Sequence, residues 1–194
     1  MAKQAKFDRQ AVINLATNLY WHKGFHATSM RNLQEEVDMR PGSIYAAFGS
    51  KEGLFKEALK NYTDMAKNQI NQCKQMYNSP IEALSTFIKA LVLDTRENAP
   101  NGMCMLAKTI SELTPEHQEL IDITKSHLNE IASEFVKLIQ EAQNLGQISQ
   151  DKSAEDLANY IQVQITGLRT FAKITNDKSK LETMIDDIFT HYPF

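Results

Sequence analysis

The chain has 194 residues, 42% hydrophobic and 23% charged, with a formal net charge of −3 at pH 7. That length allows one large domain or two small ones, the composition is that of an ordinary folded protein, and the negative balance argues against indiscriminate nucleic-acid binding. Two cysteines, Cys73 and Cys104, make neither a disulfide framework nor a zinc spacing; with no apolar signal core and no run of membrane-spanning length, a cytoplasmic protein with no membrane partner is expected.

Only seven Gly and five Pro interrupt the chain, and its apolar spacing is helical nearly throughout, so the predicted class is all-α. Residues 1–7 read as a basic arm with Lys3 and Lys6. A first helix starts near Asp8, buries Val12, Leu15, Ala16 and Leu19, and stops at Gly24. Thr28 is the expected N-cap of a second helix with Met30, Leu33 and Val37 on one face. Asp38 ends it, as a residue that tolerates left-handed backbone. Pro41 opens a third helix at the position where its missing N–H costs nothing. Ile44, Ala47 and Phe48 point inward there, and Gly42, Ser43, Tyr45 and Ala46 point out. Gly49 breaks that helix and Ser50 caps a fourth, running from Lys51 to about Tyr77 with Leu54, Phe55, Ala58, Leu59, Tyr62, Met65 and Ala66 in step. At 1.5 Å per residue it spans about 40 Å.

Ser79-Pro80-Ile81-Glu82 is a capping-box start for a fifth helix carrying Leu84, Phe87, Ile88, Leu91 and Val92, which ends before Pro100-Asn101-Gly102. A short sixth helix runs from Met103 to about Leu113. Thr114-Pro115-Glu116 starts a seventh that reaches Leu145 and is closed by Gly146. Ser153 starts an eighth with Leu157, Ile161, Ile165, Leu168 and Phe171. Ser179-Lys180-Leu181-Glu182 starts a ninth with Leu181, Met184, Ile185, Ile188 and Phe189. No repeat, low-complexity tract or flexible linker is visible.

Two short helices joined by a tight turn, the second showing small and hydroxyl residues to solvent, is the layout of a DNA-reading helix-turn-helix. Charge agrees: residues 1–60 hold nine Lys/Arg against six Asp/Glu, and residues 61–194 hold twelve against eighteen. Arg40 and Ser43 are candidates for base-edge readout, since an arginine forks onto guanine.

The segment from Gly24-Phe25 to Leu54-Phe55 resembles, without gaps, the tetracycline-repressor (TetR) family of bacterial regulators. The likeness rests on Thr28-Ser29-Met30-Arg31, Gly42-Ser43-Ile44-Tyr45, Phe48 and Ser50-Lys51-Glu52. Asp38 stands where the family usually has Gly, Arg40 where a small residue is common, and Ala46 where a His commonly follows the tyrosine. The resemblance implies a DNA-binding domain at 1–50 and a helical effector-binding and dimerisation domain at 51–194. It implies phosphate contacts from the Thr28 region, Tyr45 and Lys51, with Pro41, Gly42 and Ala46 completing the DNA-facing segment. It also implies a repressor released from a palindromic double-stranded operator by a small molecule or chemical signal. The rival reading is a helical ligand-binding or enzymatic protein whose head no longer binds DNA.

Helices eight and nine are apolar over more than one face, so one face is left for a partner. In the resembling family they form a four-helix homodimer interface, and Ile161, Ile165, Leu168, Met184 and Ile188 are the candidates. The family also implies an effector pocket in the body. Met65, Phe87, Met103, Cys104, Met105, Phe135 and Tyr160 are candidates to line it, methionine being suited to irregular apolar sites; ordinary core packing is the competing account. Cys104, at the start of the sixth helix, is either a reactive thiol favoured by the helix N-terminus or an inert pocket or core residue. The five histidines form no metal-binding spacing, and no catalytic set, metal or cofactor is expected.

Overall fold

The computed structural model describes residues 7–94, 102–175, 177–190 and 193–194. The regular structure of those residues is all helix, with no strand among them. The helices are α1 Arg9–Lys23, α2 Met30–Val37, α3 Pro41–Phe48, α4 Lys51–Met76, α5 Pro80–Lys89, α6 Met105–Glu112, α7 Gln118–Asn144, α8 Ala154–Phe171 and α9 Lys178–Thr190. A π-helical turn, Ala90–Asp94, continues α5, and a 3₁₀ turn, Pro115–His117, leads into α7. The all-α architecture is the predicted one. The expected arm with Lys3 and Lys6, the Pro100-Asn101 stop and His191 lie outside the described residues.

The chain forms two compact units. Residues up to 64, with 105–127, make the first; residues 65–104, with 128–194, make the second. In the first, α1 is started by Asp8, whose carboxylate accepts from the N–H groups of Gln10 and Ala11. Val12, Ala16 and Leu19 are buried as expected, but Leu15 is 39% exposed. Ile13, Thr17 and Tyr20 are buried as well, and Thr17, which a count of apolar residues misses, hides its hydroxyl on the carbonyl of Ile13.

In the second unit, Leu84, Phe87, Ile88, Phe135, Ile139, Leu157, Ile161 and Ile185 belong to one apolar core. Lys67–Glu130, Lys74–Glu141 and Lys89–Asp186 pair at its margin. Such exposed pairs each contribute about 0–1 kcal/mol, so apolar burial carries this unit. The cap of α9 differs from expectation: Asp177, not Ser179, starts the helix, its carboxylate accepting from the N–H of Lys180. Both residues are good caps, and the carboxylate gives the stronger, charge-assisted bond.

Candidate nucleic-acid interface

The exposed surface of the first unit is set by how its loops are tied down. Ser29, not Thr28, caps α2. The N–H of Asn32 donates to Ser29 Oγ at 3.1 Å, and the N–H of Ser29 donates to Asn32 Oδ1 at 3.2 Å, a reciprocal box. Thr28 is fully buried, and its hydroxyl donates to the carbonyl of Gly24 at 2.6 Å, so the side chain is enclosed within the unit. Thr and Ser are adjacent cap formers, and sequence alone does not choose between them. Asp38 closes α2 in left-handed backbone, φ 49°, as its residue type allowed.

α3 then starts at Pro41 with Arg40 as its cap residue. Ile44 and Phe48 are buried. Gly42, Ser43, Tyr45 and Ala46 are exposed, as expected, and so are Arg40 and Pro41, whereas Ala47, expected to point inward, is only half-buried. Tyr45 is 49% exposed, with its phenol available as a donor. At the far end Arg9 stacks over the Phe48 ring, 4.9 Å from its centroid, and pairs with Glu57 at 2.8 Å. That hydrogen bond holds the Glu57 carboxyl below the usual carboxylate range. Ser50 caps α4 by accepting from the N–H of Gly53 at 2.9 Å. Gly53 is obligatory there, because a Cβ on it would run into the carbonyl oxygen of Phe48.

Lys51 sits differently from a free surface cation. Its ammonium lies 4.3 Å from the centroid of Phe25 and is half-buried. Burial lowers its pKa, against the opposing pull of the Glu112 and Glu52 carboxylates. Its backbone carbonyl accepts from the buried Tyr20 hydroxyl at 3.0 Å, and burial pushes the Tyr20 phenol well above its ordinary range.

Two residues that sequence reasoning missed hold the loop between α1 and α2. Glu112 of α6 accepts from the N–H groups of Phe25 (3.1 Å) and His26 (2.6 Å). Lys108, one turn earlier, donates to the carbonyl oxygens of His22 at 2.8 Å and Trp21 at 3.3 Å. The carboxylate serves loop N–H groups and the ammonium serves carbonyls at the C-terminal end of α1, where helix carbonyls lack partners. Their sequence separation of 86 to 87 residues left no local signal.

The expected pocket residues belong to both units. Phe87 and Phe135 meet edge to face, centroids 5.8 Å apart, inside the core of the second unit. Tyr160 packs 6.1 Å from Phe194. Met103 and Cys104 are half-buried, Met65 is 49% exposed, and Met105 is buried in the first unit. Of the expected dimer residues, Ile161, Ile165, Leu168 and Ile188 are buried in the chain's own core, which corrects their assignment to an outward face. Met184 remains at 38% exposure. The C-terminal half of α8 exposes Val163, Thr166, Gly167 and Thr170, spaced three and four apart and uncharged, while the exposed acids Glu155 and Asp156 lie in its first turn. Because these helices are apolar on several faces, periodicity did not fix their rotation. Among the described residues no group of three or more His, Cys, Asp or Glu is placed to hold a metal, and no helix is long and apolar enough to cross a membrane.

A helix-turn-helix with an exposed, donor-bearing second helix, followed by a helical body, defines a DNA-binding transcriptional regulator. Residues 12–58 match the bacterial regulatory proteins of the tetR family, and residues 80–188 match the tetracyclin repressor-like C-terminal domain. The chain belongs to the tetR family. It is 28% identical over 171 residues to the HTH-type transcriptional repressor ComR of Escherichia coli K12, covering 86% of this chain and 80% of that one. It is 25% identical over 125 residues to IcaR of Staphylococcus aureus, the negative transcriptional regulator of a biofilm operon, covering 64% and 67%. Among solved structures, a cysteine mutant of the regulator CifR, complexed with 26-bp double-strand operator DNA, superposes with a TM-score of 0.85 at 26% identity. That match covers 98% of this chain and all of CifR.

Proposed function

We propose that the chain is a homodimeric repressor that holds double-stranded operator DNA through the exposed face of α3 and lets it go when a small molecule or chemical signal reaches the body. The observation that carries this reading is the sorting of α3, with Ile44 and Phe48 buried and Arg40, Pro41, Gly42, Ser43, Tyr45 and Ala46 outside. Relatives named as repressors, and an operator complex of similar fold, support it. Arg40 and Ser43 take base edges, and Tyr45 takes a phosphate. Lys51 reaches a phosphate only by leaving the face of Phe25, a cation–π contact that holds it by about 0.5–2 kcal/mol. The functional division falls at 50/51, with DNA binding in 1–50 and effector binding and dimerisation in 51–194. The protein works in the cytoplasm and is not an enzyme.

The partner-facing surface we assign to Val163, Thr166, Gly167 and Thr170 of α8 with Met184 of α9, in place of the buried isoleucines and leucine. A two-fold dimer sets two recognition helices about 34–36 Å apart, or a multiple of that, and so calls for a palindromic site. The test is selection of bound duplexes from random sequence by the full chain. A near-palindrome with one helical turn, or whole multiples, between half-site centres is expected. Enrichment of a single unpaired half-site, or of nothing, contradicts the reading.

A further inference from the structure

The second unit contains a buried charge that has no counter-charge among the described residues. Arg169, on α8, is 4% exposed. Its Nε donates to the carbonyl of Gly102 at 3.0 Å, while its Nη2 is enclosed and has no hydrogen-bond partner among the described residues. No described carboxylate pairs with it. Its neighbours Ile165 and Leu168 on α8, and Ala172 at the cap of that helix, are buried in the apolar core, and Leu91 packs against that same core.

An enclosed cation without an acid is costly, and replacing it by an apolar residue of similar volume would ordinarily stabilise the protein. Arginine is also suited to one particular task. Its planar fork offers two parallel N–H groups that match the two oxygens of a carboxylate. With Nε held by Gly102, the end-on edge of the guanidinium is the edge left for such a group. Arg169 is covered by its own chain, so a partner subunit does not reach it to supply the acid, and the exposed acids of its own helix, Glu155 and Asp156, lie in the first turn, more than three turns away. A second cation borders the site: a Cβ on Gly102, which sits at φ 59°, would lie 3.3 Å from Cε of Lys173. Gly102 stands three residues before α6, the helix that carries Lys108 and Glu112.

We propose that Arg169 anchors the carboxylate of an anionic effector, an organic acid whose apolar tail lies against the core around Leu168 and Leu91. This deepens the function proposed above and rests on its premise that the body takes an effector. The experiment uses the full chain with sodium acetate, hexanoate and benzoate at matched ionic strength, and 1-hexanol as the uncharged control. Thermal midpoint and binding calorimetry report occupancy, and retention of the selected DNA duplex reports release. At least one carboxylate, with hexanoate or benzoate ahead of acetate, should raise the midpoint while hexanol does not. Arg169→Lys, which keeps the charge and loses the fork, should weaken that carboxylate at least tenfold, and Arg169→Met should abolish its binding. Absence of a shift with all three carboxylates overturns the proposal, as does unchanged affinity in Arg169→Lys, which decides the matter if Arg169→Met does not fold. Arg169-dependent binding that leaves DNA bound supports the site and refutes the effector premise. Release by a carboxylate that is indifferent to both substitutions upholds the premise and overturns the site.

Discussion

The loops of the DNA-reading unit and the core of the body are held by different forces. Around α2 and α3, side chains grip backbone: Ser29 and Asn32 cap each other's N–H groups, Thr28 bonds Gly24, Tyr20 bonds Lys51, and Glu112 and Lys108 close the loop after α1. In the body the corresponding weight rests on packed Leu84, Phe87, Ile88, Phe135, Leu157 and Ile185. Hydrogen bonds to backbone fix direction, which a surface that must meet successive bases in register requires. Apolar contacts are non-directional and allow repacking, which suits a region that must accommodate a ligand.

The largest separation of the two regimes should come from truncating the core. Phe87→Ala should cost about 3–5 kcal/mol of unfolding free energy, read by chemical denaturation, and leave α3 able to bind DNA wherever the protein is still folded. In the head, Gly53→Ala forces a methyl group into the carbonyl of Phe48, and the first turn of α4 must shift. A loss of about 1–3 kcal/mol is expected, whereas Gly167→Ala, with open space around it, should gain roughly 0.5–1 kcal/mol in the monomer. Equal effects at the two glycines would break the comparison.

Glu112→Gln keeps one acceptor but loses the charge that serves Phe25 and His26, and should cost about 1–2 kcal/mol. Its diagnostic is a larger loss of DNA affinity than of stability, since it loosens the loop ahead of α2. Tyr20 gives a pH test with a definite sign. Its phenol has a raised pKa in the folded state, so its contribution is fully present below the ordinary tyrosine value of about 10 and is lost as pH rises beyond it. Tyr20→Phe should flatten the alkaline limb of the stability–pH curve while giving up the bond to the Lys51 carbonyl. The smallest effect is Asp38→Gly, which relieves left-handed backbone at φ 49° and should stabilise by up to about 1 kcal/mol.

The same contrast explains what was legible in the sequence. α3 announces itself, because Pro41 and Gly49 bound it and only Ile44, Ala47 and Phe48 are positioned to turn inward. Asp38 and Ser50 likewise took the turn and cap roles their side chains favour. α8 did not reveal its orientation, since Ile161, Val163, Ile165 and Leu168 offer apolar residues to more than one side and only packing selects Val163 as the exposed one. Thr28 and Ser29 were interchangeable on paper, and the tertiary bond from Thr28 to Gly24 decided between them. Glu112 and Arg169 were invisible for another reason. A carboxylate serving a loop 86 residues away, and a cation enclosed with no acid among the described residues, are properties of the folded chain and not of any short stretch of it.

The central claim is that the exposed face of α3 reads DNA. Its most direct test is the base preference of Arg40→Ala, measured by competition among single-base variants of the selected duplex at fixed salt. The account predicts that preference collapses at one position in each half-site, by about 1–3 kcal/mol, with the other positions unchanged. An Arg40→Ala protein that keeps the full wild-type preference at every position would contradict it.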